Sequence, residues 1–152
     1  MVCLGNICRS PTAHVVLEAR LAEAGLDDQV EVHSSGTGGW HRGEPMDARA
    51  AATLSAAGYD ASRHRARQYD DSWVGSHDLV LAMDADNLAD IGGRSERVGM
   101  FRDFDPVDPG ADVPDPYYGG ADAFADVLTT VERTSDALVA ELVALLDAGP
   151  SR

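Results

Sequence analysis

The sequence predicts an α/β fold of three layers, αβα, in which helices cover both faces of a four-stranded parallel sheet whose first strand is truncated. Three observations carry this. Short apolar runs at 1–3, 30–34, 79–83 and 98–101 read as strands, and stretches with helical periodicity separate them. Helical crossovers between successive strands imply parallel pairing with right-handed connections. The run 79–83 is apolar throughout, as a strand covered on both faces requires.

The elements follow in order. Residues 1–3 are the stub of the first strand. A helix is expected over 11–24, with Ser10 as its cap, Pro11 at its first position, Val16, Leu17 and Leu21 on one face and Gly25 ending it. The alternating strand at 30–34 leads into a glycine-rich loop, 36–43, carrying Trp40 and His41. An alanine-rich helix over 45–57 is closed by Gly58, the stretch 59–68 is basic and irregular, and a short helical turn is expected around 72–74. After the strand at 79–83, Asp84 caps a helix running to about residue 91. The fourth strand, 98–101, gives way to an acidic, proline-rich loop over 102–120, a long amphipathic helix over 121–146 and a Gly-Pro tail. No linker or repeat divides the 152 residues, so one domain over 1–152 is expected.

A formal net charge of −14 argues against nucleic acid and anionic membranes as partners, since both need basic patches. All twelve basic residues are Arg. No segment approaches a membrane span and no basic stretch followed by an apolar one opens the chain, so a soluble, cytoplasmic, monomeric protein is expected. The two cysteines, five apart, are too few for a disulfide scaffold and fit no zinc pattern; neither metal nor cofactor is expected.

Chemistry concentrates in Cys3-Leu4-Gly5-Asn6-Ile7-Cys8-Arg9-Ser10. A Cys and an Arg bracketing a tight turn from strand to helix build a thiolate beneath a phosphate. The turn and the helix N-terminus supply converging N–H groups, and Arg9 offers a planar fork matched to two phosphate oxygens. The same dipoles and guanidinium favour the Cys3 thiolate. Gly5 and Asn6 tolerate the left-handed backbone that folds amides inward. The bland reading makes Cys3 a small buried hydrophobe and Arg9 a solvated first-turn side chain.

Such a thiolate needs an acid to protonate the departing oxygen, and the long loop offers Asp115-Pro116-Tyr117-Tyr118. Pro116 restricts Asp115 to extended geometry, and the aromatic pair can wall a pocket for a ring. Asp105-Pro106 and Asp108-Pro109 in the same loop read as turn punctuation, which is also the competing reading of Asp115.

These residues resemble the low-molecular-weight protein tyrosine phosphatases, most of all their actinobacterial members. Residues 3–11 are similar to the signature loop of that family and 115–119 to its general-acid motif, while Ser35-Gly36-Thr37 with Trp40, His64 to Gln68, and Met83-Asp84 fall in step between them. The resemblance implies a phosphatase I-like fold and hydrolysis of phosphotyrosine in proteins, and of small aryl phosphates, through a phosphocysteine intermediate. It implies that Cys3 is the nucleophile, Arg9 the binder of phosphate and transition state, and Asp115 the acid and later the base. Leu4, Gly5, Asn6, Ile7, Cys8 and Ser10 would make the phosphate loop, with the Ser10 hydroxyl on the thiolate and Ser34 and His64 bracing Asn6. Ser35 competes with Ser34 for that role. Leu4, Trp40, Tyr117 and Tyr118 would line a slot deep enough for phosphotyrosine, and Cys8 would trap oxidised Cys3 as a reversible disulfide. Trp40 also reads as simple core, His64 as a satisfied polar residue, and Asp84 as a helix cap outside the site. Only Met1 and Val2 precede the nucleophile where the family has several apolar residues. Either the start is placed too late or the fold tolerates a damaged centre.

Three rival functions share some of these residues. Arsenate reduction needs two further cysteines. Protein arginine phosphatase activity goes with threonine at the position of Ile7. A non-catalytic phosphoprotein-binding module would follow from the shortened strand.

Overall fold

Four parallel strands in the order β2-β1-β3-β4 form the centre of the molecule: β1 (Val2–Cys3), β2 (Ser35–Gly36), β3 (Val80–Ala82) and β4 (Val98–Met100). The computed structural model describes residues 1–149, so the expected tail from Pro150 lies outside the described residues. Val2 pairs with Ser35 on one side and Ala82 on the other, and Val80 to Ala82 pair with Val98 to Met100. The αβα expectation holds.

Side-chain alternation assigns each face its cover. Val2, Val80, Ala82, Val98 and Met100 pack on one side with Leu88 and Ile91, around helix α4 (Ala85–Asp90). Cys3, Leu81 and Met83 belong to the larger core on the other side, with Val16, Leu17 and Leu21 of α1 (Arg9–Glu23) and Phe124, Val131 and Leu138 of α5 (Ala121–Asp147). Burying each large side chain contributes about 1.5–3 kcal/mol. Two shorter helices complete the set, α2 (Ala48–Ala56) and α3 (Trp73–Ser76). No described helix is long and apolar enough to cross a membrane.

Three boundaries differ from the sequence reading. Helix α1 begins at Arg9, so Pro11 sits third in the helix, where its missing N–H still costs no intrahelical bond, and Ser10 is not the cap. The Ser10 hydroxyl turns to Cys3 instead. Residues 30–34 form no strand: the only bonds in register there are from the Met1 nitrogen to the His33 carbonyl, 2.8 Å, and from the Ser35 N–H to the Met1 carbonyl, 3.0 Å. With β1 confined to Val2–Cys3, the ladder has nothing to add beside Val30 to Val32. Helix α2 starts at Ala48, because Asp47 caps it by accepting from the N–H groups of Arg49 and Ala50 at 2.8 and 3.4 Å.

Asp105 is more than turn punctuation. It is 1% exposed, and its carboxylate takes two bonds of 2.8 Å from Arg133 of α5 and one of 2.9 Å from Arg102. The Arg133 fork, outweighing the cost of burial, holds its pKa well below the usual carboxylate range. This pairing ties the start of the long loop to α5, across a 3₁₀ turn at Phe101–Phe104.

Candidate active site

β1 ends at Cys3 and α1 begins at Arg9, so residues 4–8 make the turn between sheet and helix, at the carboxyl end of the strands where parallel sheets bind ligands. Asn6 organises that turn. It is fully buried with φ of 56°, the left-handed conformation that Asn tolerates better than most residues. Its N–H lies 3.3 Å from Cys3 Sγ, and its carbonyl accepts 2.7 Å from His64 Nε2. Its side-chain oxygen accepts from the Arg67 N–H at 3.0 Å, and its amide nitrogen donates to Ser10 Oγ at 2.8 Å and Ser34 Oγ at 3.0 Å. Every polar atom of Asn6 is therefore used. Of the two candidate serines, Ser34 is the one that braces it.

The neighbouring strand must approach closely for this to work. A Cβ on Gly36 would stand 2.7 Å from the Leu4 carbonyl oxygen and 2.9 Å from the Asn6 nitrogen, both backbone atoms unable to yield. Thr37 and Gly38 then donate to the Cys3 and Leu4 carbonyls at 2.9 Å each, which turns those oxygens away from the cradle.

Cys3 is 3% exposed at the floor of the cradle, with Ser10 Oγ 2.9 Å from its sulfur. Ser10 Oγ and the Asn6 N–H thus converge on Sγ. Arg9 lies beside it, 3% exposed, donating to the Val113 carbonyl at 3.0 Å and paired through Nη1 with Asp84. Burial opposes the charge on Arg9, but the Asp84 carboxylate and the sulfur more than offset it and hold its pKa above the ordinary arginine value. Asp84 also caps α4 through the Asn87 N–H at 2.7 Å. Its role on Arg9, beyond capping, is what the sequence reading missed.

The acid loop reaches the same point from above. Asp115 Oδ2 is 3.7 Å from Arg9 Nη2, its side chain 43% exposed, and Oδ1 accepts from the Tyr117 N–H at 3.1 Å. Val113 is strapped to the end of β3 by its N–H to the Met83 carbonyl, 2.7 Å. Arg49 of α2 holds the other side: Nη1 donates to the Tyr117 carbonyl at 2.9 Å and the guanidinium lies 5.2 Å over the Tyr117 ring. Asp47 orients Arg49 in turn, at 3.0 Å. No spacing in the sequence announces Arg49, which meets the loop 68 residues away along the chain.

A pocket of about 230 Å³ opens above Cys3, Arg9 and Asp115, with Leu4, Trp40, His41, Tyr117 and Tyr118 at its sides. Trp40 is 71% exposed, so it is rim and not core. His41, given no role from sequence, packs over Gly5, where an added Cβ would meet its ring at 3.1 Å. Tyr117 and Tyr118 stand edge to face, centroids 5.0 Å apart. Cys8 is buried on the wall of the same pocket, and burial first, then the Asp47 carboxylate, pushes its thiol up to about 12. His64 is half-buried, which lowers its pKa and favours the neutral ring. Among the described residues no three His, Cys, Asp or Glu side chains converge as a metal site would require. The arrangement presents a cysteine sulfur at the floor, a cation beside it and a carboxyl at the mouth.

The family model described as low molecular weight phosphotyrosine protein phosphatase matches residues 1–146. A low molecular weight protein-tyrosine-phosphatase of Streptomyces coelicolor is 47% identical over 147 residues, covering 91% of this chain and 89% of its own. Low molecular weight protein-tyrosine phosphatase A of Mycobacterium tuberculosis is 43% identical, covering 86% and 82%. Among solved structures, YfkJ from Bacillus subtilis superposes with a TM-score of 0.88 at 31% identity, covering 95% of this chain and 93% of its own. A protein tyrosine phosphatase from Entamoeba histolytica, with Hepes in its active site, superposes with 0.86 at 32% identity, covering 94% of each. The chain belongs to the low molecular weight phosphotyrosine protein phosphatase family.

Proposed function

We propose that this protein hydrolyses phosphotyrosine in proteins, and small aryl phosphates, through a phosphocysteine at Cys3. The observation that carries this reading is the convergence of Ser10 Oγ and the Asn6 N–H on Cys3 Sγ, at 2.9 and 3.3 Å, beneath a pocket holding both Arg9 and Asp115. The thiolate attacks phosphorus while the loop N–H groups and the Arg9 fork take up the equatorial oxygens. The P–O bond to the phenol breaks as Asp115 delivers its proton, leaving phosphocysteine and free tyrosine. Asp115, now a carboxylate, takes a proton from water as the water oxygen attacks phosphorus, and phosphate leaves with the thiolate restored. Splitting the reaction in two lowers each barrier.

The aromatic sides of the pocket and the burial of Cys3 at its floor support an aryl ester. A serine phosphate is too short to bring its phosphorus from the rim to the buried sulfur. Arsenate reduction lacks its cysteines in this chain, which has only Cys3 and Cys8. Buried Ile7 offers no hydroxyl for a phosphoguanidine. A binding module needs no acid at 3.7 Å from the phosphate-binding arginine.

We read the chain as one domain, since no linker or repeat divides its 152 residues, and as a monomer. Two free, buried cysteines suit a reducing compartment, and we place the enzyme in the cytoplasm. The charge of −14 argues against nucleic acid or an anionic membrane as a partner. Turnover of phosphotyrosine and phosphoserine peptides of one sequence tests the substrate class: hydrolysis of the first alone is expected, and equal rates would refute the slot.

A further inference from the structure

Asn6 holds its amide in one orientation, since its oxygen accepts from the Arg67 N–H at 3.0 Å. Its two amide protons must therefore go to Ser10 Oγ and Ser34 Oγ. Each serine, already accepting, has its own proton left to give. Ser10 has Cys3 Sγ at 2.9 Å and, further off, the Ser35 carbonyl at 3.3 Å. For Ser34, 2% exposed, the acceptor is Nδ1 of His14 at 3.1 Å. His14 Nε2 in turn lies 2.8 Å from Glu18 Oε1, which places a proton on Nε2 and, in the neutral ring, leaves Nδ1 with its lone pair. Every donor then has an acceptor along Asn6, Ser34, His14 and Glu18.

We propose that His14 is a positioning residue for this reaction, fixing the direction of the hydrogen-bond chain that runs through Ser34 and Asn6 to the Ser10 hydroxyl on Cys3. Protonation of Nδ1 reverses the last link. Two donors then point at Ser34 Oγ, its own proton has no acceptor, and the frustration is relieved only by turning the Asn6 amide or the serine. Either movement loosens the donor on the nucleophile. The groups facing His14 are Glu18 on its own helix, the Met1 nitrogen and His33 from the segment leading to β2, and His64 with Asp60 and Arg63 across a cleft of about 220 Å³. Burial lowers its pKa against the opposing pull of Glu18 and favours the neutral ring.

The competing role is structural: an ion pair with Glu18 one turn along α1. Two conservative variants separate the roles. Asparagine places an amide oxygen near the position of Nδ1 and keeps the acceptor for Ser34, whereas glutamine reaches one carbon further, toward Glu18, and loses it.

The inference rests on Cys3 as nucleophile, so the readouts are kcat and KM for an aryl phosphate and the alkylation rate of Cys3 by iodoacetate, which needs a thiolate but no acid. His14→Gln is expected to lower kcat and alkylation about tenfold, with KM within about twofold, the size of one misdirected hydrogen bond. His14→Asn restores most of both and flattens the acid-side fall of kcat/KM, since it cannot titrate. In a Ser34→Ala background the two variants become equal. If Gln and Asn are equally slow, or equally fast, with Ser34 in place, the proposal fails. If His14→Gln does not fold, His14→Ala read against His14→Asn gives the same comparison. A preserved difference in alkylation with no turnover in the wild type would refute the phosphatase reading and leave the chain standing.

Discussion

Asp84 serves Arg9 and its own helix at once: one carboxylate oxygen accepts from the Asn87 N–H at 2.7 Å while the other pairs with Arg9 Nη1. A side chain fixed by a cap makes a rigid stop for the guanidinium. Without it, the fork is free to swing to Asp115, already 3.7 Å from Nη2. Asp84→Ala should lower kcat for an aryl phosphate about 10²-fold, the usual effect of misplacing a reacting group by an ångström. Asp84→Asn, whose single amide oxygen can serve Arg9 or the cap but not both, should lose less than Asp84→Ala. Equal kinetics in Asp84→Ala and wild type would show that Val113 alone positions Arg9.

Asp115→Asn should slow turnover by about 10² to 10⁴, the range for losing a general acid. The loss should shrink along a series of aryl phosphates with increasingly acidic phenols, which depart without a proton. A constant loss across the series would reassign Asp115 to holding Tyr117, whose N–H it accepts at 3.1 Å.

Peroxide should convert Cys3 to a sulfenic acid, and attack by the Cys8 sulfur should expel water and close a disulfide between them. Both cysteines line one pocket. With its pKa pushed up to about 12, Cys8 is a neutral thiol at pH 7, so closure should speed up about tenfold per pH unit between pH 7 and 9. Dithiothreitol should restore activity to the wild type and much less to Cys8→Ser, whose sulfenic acid oxidises further. Equal recovery would make Cys8 simple packing.

The turn from Cys3 to Arg9 was legible because its chemistry is local. Cys3, Asn6 and Arg9 sit within one turn, and the αL backbone of Asn6 is a property of its residue type. The residues that position this loop were not, because they arrive from elsewhere. His14 and Asp84 read as ordinary helix residues until the fold sets one against Ser34 and the other against Arg9. Gly36 is one glycine among several until Leu4 and Asn6 pack against its α-carbon. The predicted strand at 30–34 failed for a related reason: alternation marks a segment able to pair, and pairing depends on the length of its neighbour.

Asp105 makes acid stability testable. Its folded pKa is depressed, so its contribution is present above the unfolded value of about 3.9 and is lost as pH falls below it. Asp105→Asn should destabilise the protein at pH 7 by about 3 kcal/mol, since it leaves Arg133 and Arg102 without their shared carboxylate. The difference from wild type should narrow between pH 4 and pH 2. A difference constant with pH, in thermal denaturation, would mean that the carboxylate is not ionised in the folded protein.

The most direct test of the account is to find the phosphoryl group. Rapid acid quenching during turnover of an aryl phosphate, followed by intact mass measurement, should show one phosphoryl group on the wild type and on Cys8→Ser and none on Cys3→Ser, which should neither turn over nor become labelled. Labelling that survives Cys3→Ser, or full turnover in that variant, would contradict the assignment of Cys3 as the nucleophile.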